Sequence, residues 1–183
     1  MKLISWKKVE SWKCIACGEC CNCFNIPLKS IEYAKMIKIF GNEIFDLNKN
    51  PVKIFLKRRD NGRCIFQYCL YGKWICAIQQ IKPIVCKIFP FSISKSINKK
   101  ALYKYKGDLY NIYLERSYKG IKLGNPSNQF IYQILPKAIE LSLNPDNLPN
   151  LLTSQLLLDP LNQYFLRCYR IKENLTFLKL ITG

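Results

Sequence analysis

The residues best suited to chemistry in this sequence are its cysteines: there are 10 in 183 residues, and there is no histidine. They begin with Cys14-x2-Cys17-x2-Cys20, and Cys21 follows directly. A C-x2-C pair lets two thiolates converge on one metal ion, and three cysteines at this spacing can hold three corners of an iron–sulfur cube while a remote cysteine holds the fourth. The spacing therefore predicts a metal centre bound by sulfur. The remaining cysteines are Cys23, Cys64, Cys69, Cys76, Cys86 and Cys168.

The ligand type limits which metal fits. Thiolates are soft ligands that select iron–sulfur clusters, zinc or Cu(I) over hard cations. We expect a 4Fe–4S cluster first, because C-x2-C-x2-C with a remote cysteine suits a cube. Zinc held by four thiolates at about 2.3 Å is the alternative. For either metal, a purely structural role, in which the metal holds loops together, is also open.

Two further expectations concern the surroundings of these thiols. In an extended backbone Cys20 and Cys21 would point in different directions, so we expect that they do not bind the same ion and that one belongs to a second site or to the outer shell. Cys168, alone in a predicted helix, is expected to be a buried core thiol. Lysines near the cysteines in sequence should lower the thiol pKa values. These lysines are Lys7, Lys8, Lys13, Lys29, Lys82 and Lys87.

The missing histidine excludes several classes of site: Ser-His-Asp and Cys-His catalysis, the Cys2His2 zinc finger and the zinc deaminase site. The sequence also lacks the C-x3-C-x2-C motif of radical S-adenosylmethionine enzymes and a GxGxxG nucleotide loop. No catalytic residue is therefore indicated.

The charge is strongly unbalanced, with 29 Lys and Arg against 12 Asp and Glu, a net charge of +17. Residues 1–100 carry 19 of the basic and 6 of the acidic side chains, together with nine of the ten cysteines. Such an excess predicts a polyanionic partner, with RNA or the ribosome as our first expectation, although a solvated lysine-rich surface is the simpler explanation. Because 23 of the basic residues are Lys, contacts should be mainly to phosphate.

No apolar stretch predicts a signal peptide or a membrane span, so we expect a cytoplasmic protein whose cysteines bind metal or do redox chemistry rather than form disulfides. Disulfides are the alternative if the cytosol is that of a hyperthermophile.

The pattern of apolar residues and turn residues predicts an α+β fold. It consists of a small irregular cysteine-rich module with short antiparallel strands over residues 1–120, and a helical C-terminal part over 121–183. A helix is predicted over Ile31–Phe40, with Ser30 as its N-cap and Gly41 as its stop. Further elements follow: strands at Val52–Lys57 and Arg63–Tyr68 around a turn at Asp60-Asn61-Gly62, an irregular segment at Ile81–Pro90, a hairpin of Ala101–Tyr105 and Leu109–Glu115, and helices at Phe130–Leu143 (kinked at Pro136), Leu148–Leu158 and Leu161–Leu180.

Aromatic and basic residues interleave in and after the predicted hairpin, at Tyr103-Lys104-Tyr105-Lys106, Tyr110, Tyr113, Arg116 and Tyr118. Such tyrosines can stack on bases, as on single-strand binding surfaces. Packing into the core is the simpler interpretation, because tyrosine favours strands.

Residues 12–92 resemble the cysteine-cluster family named for its CxxCxxCC motif, described as zinc- or iron-chelating. Residues 14–21 match the opening motif, Gly62–Phe66 resembles its second cysteine element, and Cys76-x9-Cys86 with Phe89-Pro90 resembles its closing segment, where Lys82 replaces the usual Arg. The resemblance implies the metal-site candidates Cys14, Cys17, Cys20, Cys21, Cys64, Cys76 and Cys86.

One branch of the family resembles the lysine N-methylase that modifies flagellin. That branch implies an enzymatic alternative, a protein lysine methylase. Two further alternatives to a cluster-binding protein do not depend on the resemblance: a redox enzyme, and a structural zinc module of a larger complex.

Overall fold

The computed structural model describes residues 2–22, 25–47, 53–95 and 99–144. Within them the fold is α+β, as predicted, with short antiparallel strands and a few helices. The strands are β1 (Leu3–Ser5), β2 (Val9–Trp12), β3 (Phe45–Asp46), β4 (Phe55–Leu56), β5 (Gln67–Leu70), β6 (Lys73–Cys76), β7 (Phe91–Ser94), β8 (Leu102–Tyr105), β9 (Asp108–Glu115) and β10 (Ile121–Leu123). The helices are α1 (Ser30–Phe40), α2 (Ile84–Ile88) and α3 (Leu135–Leu143), with a π-helical segment at Phe130–Ile134 and 3-10 turns at Trp6–Lys8, Glu19–Cys21, Asn42–Ile44, Gln79–Ile81 and Lys99–Ala101.

The chain forms two compact units, and each is discontinuous in sequence. Within the described residues, unit 1 contains 2–17, 84–95 and 99–144, and unit 2 contains 18–22, 25–47 and 53–83. The predicted division between residues 120 and 121 stays a prediction. Most of the predicted C-terminal part, including the helices Leu148–Leu158 and Leu161–Leu180, lies outside the described residues, as do Cys23 and Cys168.

Unit 1 is built on a four-stranded antiparallel sheet in which β9 pairs with β1, β7 and β8. The predicted hairpin is confirmed, since β8 and β9 pair from Tyr105 opposite Asp108 around a two-residue turn. Lys106 and Gly107 in that turn both have positive φ, 49° and 89°, which matches the twist that a tight hairpin needs. The sheet packs against α3, whose Leu135 and Ile139 are fully buried.

The C-terminal helix of unit 1 confirms the helical pattern predicted over Phe130–Leu143. Its first part is π-helical, at Phe130–Ile134, directly before Pro136 in the first turn of α3. A proline has no N–H to continue the α-helical ladder, so a wider turn ahead of it accommodates the irregularity that the sequence predicts.

The tyrosines of the hairpin region pack inward. Tyr110 and Tyr118 are buried, and Tyr103 packs edge-on against Trp6 while its hydroxyl donates to the carbonyl of Ile131 at 2.8 Å. The packing interpretation of these residues is therefore confirmed.

One hairpin tyrosine also joins an exposed ionic group. The Tyr105 hydroxyl and the Lys106 ammonium both donate to the Glu140 carboxylate, and these hydrogen bonds hold the pKa of Glu140 below its usual value.

Unit 2 contains α1 and two small hairpins, β3–β4 and β5–β6. Helix α1 confirms the predicted helix and its end at Gly41, where φ is 74°, but Lys29 and not Ser30 occupies the N-cap position. The Glu32 carboxylate accepts a hydrogen bond from the Lys29 backbone N–H at 2.7 Å. A carboxylate in the first turn satisfies an orphan N–H, and glycine tolerates positive φ.

Two local predictions are wrong. The segment after the Asp60-Asn61-Gly62 turn forms only a single bridge between Arg58 and Cys64, and the strand begins at Gln67, where it pairs with β6. The segment Ile81–Pro90, predicted to be irregular, contains the helical turn α2. Its two prolines flank that turn instead of interrupting it, and proline is compatible with a helix start and with the residues after a helix end.

None of the helices in the described residues combines the length and the apolar character that a membrane span needs.

Candidate metal centre

Cys20 and Cys21 are placed together by a tight turn that begins at Gly18. Gly18 is left-handed, with φ of 78°, and the 3-10 turn Glu19–Cys21 follows it, closed by a hydrogen bond from the Cys21 N–H to the Gly18 carbonyl at 3.0 Å. The two Sγ atoms lie 3.6 Å apart. The expectation that these adjacent thiols diverge is therefore wrong, because the backbone here is a 3-10 turn and not an extended strand.

Cys64 is attached to the same turn through the backbone. Its N–H donates to the carbonyl of Cys21 at 3.2 Å. Close by, the Arg58 guanidinium donates to the carbonyls of Asn22, at 3.3 Å, and Gly62, at 2.7 Å. These hydrogen bonds join the segment around the Asp60-Asn61-Gly62 turn to the turn that contains Cys20 and Cys21.

The side chain of Gln67 supports the turn from inside the unit. Its Nε2 donates to the Gly18 carbonyl at 3.0 Å, and its Oε1 accepts from Arg63 at 3.1 Å. Arg63 in turn stacks over the Trp74 ring, 3.7 Å from the ring centroid. Cys76 lies directly opposite Gln67 in the β5–β6 hairpin, which places the Cys76 thiol beside this network.

The thiols of Cys20, Cys21, Cys64 and Cys76 influence one another's pKa values through a sulfur contact and through charge. The contact with Cys21 lowers the pKa of Cys20 to about 7, against the opposing effect of burial, and the charge of Lys82 lowers it further. Burial raises the pKa of Cys64 to about 12, and charge on Cys76 and Cys20 adds to that rise. Burial also raises the pKa of Cys76, while Lys82 opposes it. Lys82 therefore acts as the sequence predicts for lysines near these cysteines.

The donor set of unit 2 fits a thiophilic metal. Cys20, Cys21, Cys64 and Cys76 are four sulfur ligands, two of them already in contact. Two ligands of a tetrahedral ion with metal–sulfur bonds of about 2.3 Å lie about 3.8 Å apart, close to the Cys20–Cys21 distance. No three Cys, Asp or Glu side chains in the described residues are arranged as the ligands of one ion, so metal binding requires a further approach of Cys64 and Cys76.

The other predicted ligands belong to unit 1. Cys14 and Cys17 pack beside its core and interact with Tyr118, whose hydroxyl accepts a hydrogen bond from the Ile15 N–H at 3.4 Å. Burial, and then charge on Cys14 and Cys17, raises the pKa of Tyr118. Cys86 is buried in α2.

Sequence reasoning missed the supporting residues of unit 2. A glycine inside a run of closely spaced cysteines is a usable signal for Gly18, because tight turns need positive φ. Gln67 and Arg58 carry no such signal, since their contacts join residues 49 and 36 positions apart in the sequence. Cys69, by contrast, is exposed on β5.

Comparison with known proteins places these cysteines in a family context. The model of the CxxCxxCC family, described as a "putative zinc- or iron-chelating domain", matches residues 13–107. The chain is also similar to the uncharacterized protein MJ0661 of Methanocaldococcus jannaschii, with 27% identity over 138 residues that cover 68% of this chain and 70% of the relative. No solved structure matches the chain significantly. The family match supports metal binding by the cysteine cluster.

Proposed function

Since this chain belongs to the CxxCxxCC family of zinc- or iron-chelating domains, we propose that it binds a metal centre through the thiolates of Cys20, Cys21, Cys64 and Cys76. The observation that carries the proposal is the 3.6 Å separation of the Cys20 and Cys21 sulfurs at the end of the Glu19–Cys21 turn, to which Cys64 is hydrogen-bonded. Four thiolates on one divalent ion carry a net charge of about −2, and the cations that interact with these thiols, Lys82 and Arg58, offset it.

The geometry of unit 2 favours a single zinc or iron ion. In a cube each iron takes one cysteine, so the ligand sulfurs lie on different corners and farther apart than on one ion. A closed site with four sulfur ligands leaves no open position for substrate, so its role is to stabilise the fold. This centre would hold the Glu19–Cys21 turn, the Cys64 loop and the β5–β6 hairpin together.

A 4Fe–4S cluster is the second candidate, and the C-x2-C-x2-C spacing of Cys14, Cys17 and Cys20 favours it. A cluster would make the protein coloured and redox-active, whereas a zinc site is colourless and redox-inert.

Anaerobic purification followed by metal and acid-labile sulfide analysis tests these candidates. One zinc or iron per chain without sulfide supports the single-ion site. Equal amounts of iron and sulfide, about four of each per chain, with a visible absorption that dithionite bleaches, would replace it with the cluster. Protein that purifies without metal and fails to bind added zinc or iron would contradict both.

The proposal includes a polyanionic partner, RNA or the ribosome, for the basic surface, and a cytoplasmic location in which thiols stay reduced. The net charge of +17 supports the partner. Lysine methylation stays a prediction from the family resemblance, and redox catalysis stays a prediction from the cysteine content.

A further inference from the structure

Two cavities of unit 1 lie along one ribbon, the antiparallel pair β2 and β10. The first has a volume of about 550 Å³, and its walls include Lys7, Lys8 and Arg116. The second has a volume of about 490 Å³, and its walls include Lys13 and Lys119. No acidic side chain lines either cavity.

These five cations are exposed, and none has an ion-pair partner among the residues that the structure describes. The acidic residue of the ribbon is Glu10, and its carboxylate pairs with Lys122 at 2.6 Å, so it does not neutralise the others. Unpaired ammonium and guanidinium groups that share concave surfaces raise the local positive potential and attract anions.

The pairing of the strands creates this concentration of charge. Ile121 lies opposite Trp12, and the Gly120 carbonyl accepts a hydrogen bond from the Lys13 N–H at 3.0 Å, which brings Lys119 to the cavity that Lys13 lines. The Arg116 N–H donates to the Lys2 carbonyl at 2.8 Å, at the end of the β1–β9 pairing, and Arg116 lines the same cavity as Lys7 and Lys8. Arg116 and Lys119 come from the less basic half of the sequence. The surface is therefore a product of the fold and is not visible as a run of charges.

We propose that this surface, the basic ribbon formed by Lys7, Lys8, Lys13, Arg116 and Lys119, binds the phosphate backbone of RNA. The inference rests on the polyanionic partner of the proposed function and is independent of the metal centre. Binding follows from charge, since lysine meets phosphate as a point charge and a single arginine gives little reading of base edges. The aromatic walls of the second cavity, Trp12 and Phe130, are buried and present no free face on which a base can stack. The contact is therefore tolerant of sequence.

The test measures the affinity of the anaerobically purified protein for a labelled single-stranded RNA over a range of salt concentrations. The ribbon variant combines Lys7→Ala, Lys8→Ala and Arg116→Ala. The matched control removes the same charge from exposed lysines of unit 2, with Lys38→Ala, Lys57→Ala and Lys73→Ala. Each lost phosphate contact reduces the slope of log K against log salt by about 0.7, so the ribbon variant should lose about 2 from the slope. It should also bind at least about tenfold more weakly at low salt, while the control stays within about twofold of the wild type.

Equal loss in the ribbon variant and in the control would overturn the inference, because net charge alone would then explain binding. Unchanged binding by the ribbon variant would overturn it as well, and would leave the proposed RNA partner intact. Wild-type protein that binds no RNA at low salt, whether or not it binds vesicles of anionic lipid, would contradict both the inference and the RNA partner.

Discussion

Gly18 carries the turn that brings Cys20 and Cys21 together, and replacing it with alanine should destabilise unit 2 strongly. Its φ of 78° lies in the left-handed region, where a side chain costs about 1–2 kcal/mol. An added Cβ would also lie 2.4 Å from Nε2 of Gln67 and 2.8 Å from the Trp74 side chain. The Gln67 amide must then give up its buried hydrogen bond to the Gly18 carbonyl, which costs about 1–3 kcal/mol. The expected loss in the free energy of unfolding is therefore about 2–5 kcal/mol.

Gly62 provides the matched control for this substitution. It has almost the same φ, 77°, but nothing lies within 4 Å of an added Cβ. Gly62→Ala should therefore show the backbone cost alone, about 1–2 kcal/mol. Urea unfolding followed by tryptophan fluorescence, at equal metal occupancy, compares the two variants. If Gly18→Ala is no more destabilising than Gly62→Ala, the close packing of Gln67 and Trp74 against the turn does not support it, and the reasoning is refuted.

Three further predictions concern the site, an ion pair and the core. Cys64→Ser should remove most of the bound metal, whereas Cys69→Ser, at an exposed position, should leave metal per chain unchanged; equal loss would contradict the ligand assignment. Because hydrogen bonds from Tyr105 and Lys106 lower the pKa of Glu140 in the folded state, its contribution to stability is fully present above its ordinary pKa and is lost as pH falls through the lower folded-state pKa; Glu140→Gln should therefore lower the Tm at pH 7 and have a progressively smaller effect as the solution is acidified below the ordinary pKa of glutamate. Ile112 is fully buried on β9, so Ile112→Ala should lower the free energy of unfolding in urea by about 2–5 kcal/mol. Leu109 on the same strand is 45% exposed, and Leu109→Ala should lower it by less than about 1 kcal/mol. Similar losses for the two variants would contradict the assignment of Ile112 to the core.

Elements whose signals are local could be predicted from the sequence. Helix α1 ends at Gly41 because glycine tolerates the positive φ found there, and the β8–β9 hairpin turns at Lys106-Gly107 for the same reason. The cysteine motif likewise predicts metal chemistry from spacing alone, and the family match supports it.

Elements that depend on distant partners could not be predicted in this way. Unit 1 pairs β1 with β9 and β2 with β10, more than 100 residues apart, and no local pattern encodes that choice. The contact between the Cys20 and Cys21 sulfurs depends on the left-handed conformation of Gly18, whereas the prediction assumed an extended backbone at the two cysteines. Gln67 stabilises this turn by a hydrogen bond to the Gly18 carbonyl, and nothing in the sequence around Gln67 indicates a metal site.

X-ray absorption at the metal edge of the purified protein tests the central claim most directly, because it reports the ligand atoms and any neighbouring metal. A single ion held by Cys20, Cys21, Cys64 and Cys76 predicts four sulfur neighbours, at about 2.3 Å for zinc, and no metal–metal scattering. A second metal atom close to the first, or a first shell of nitrogen and oxygen, would contradict the claim.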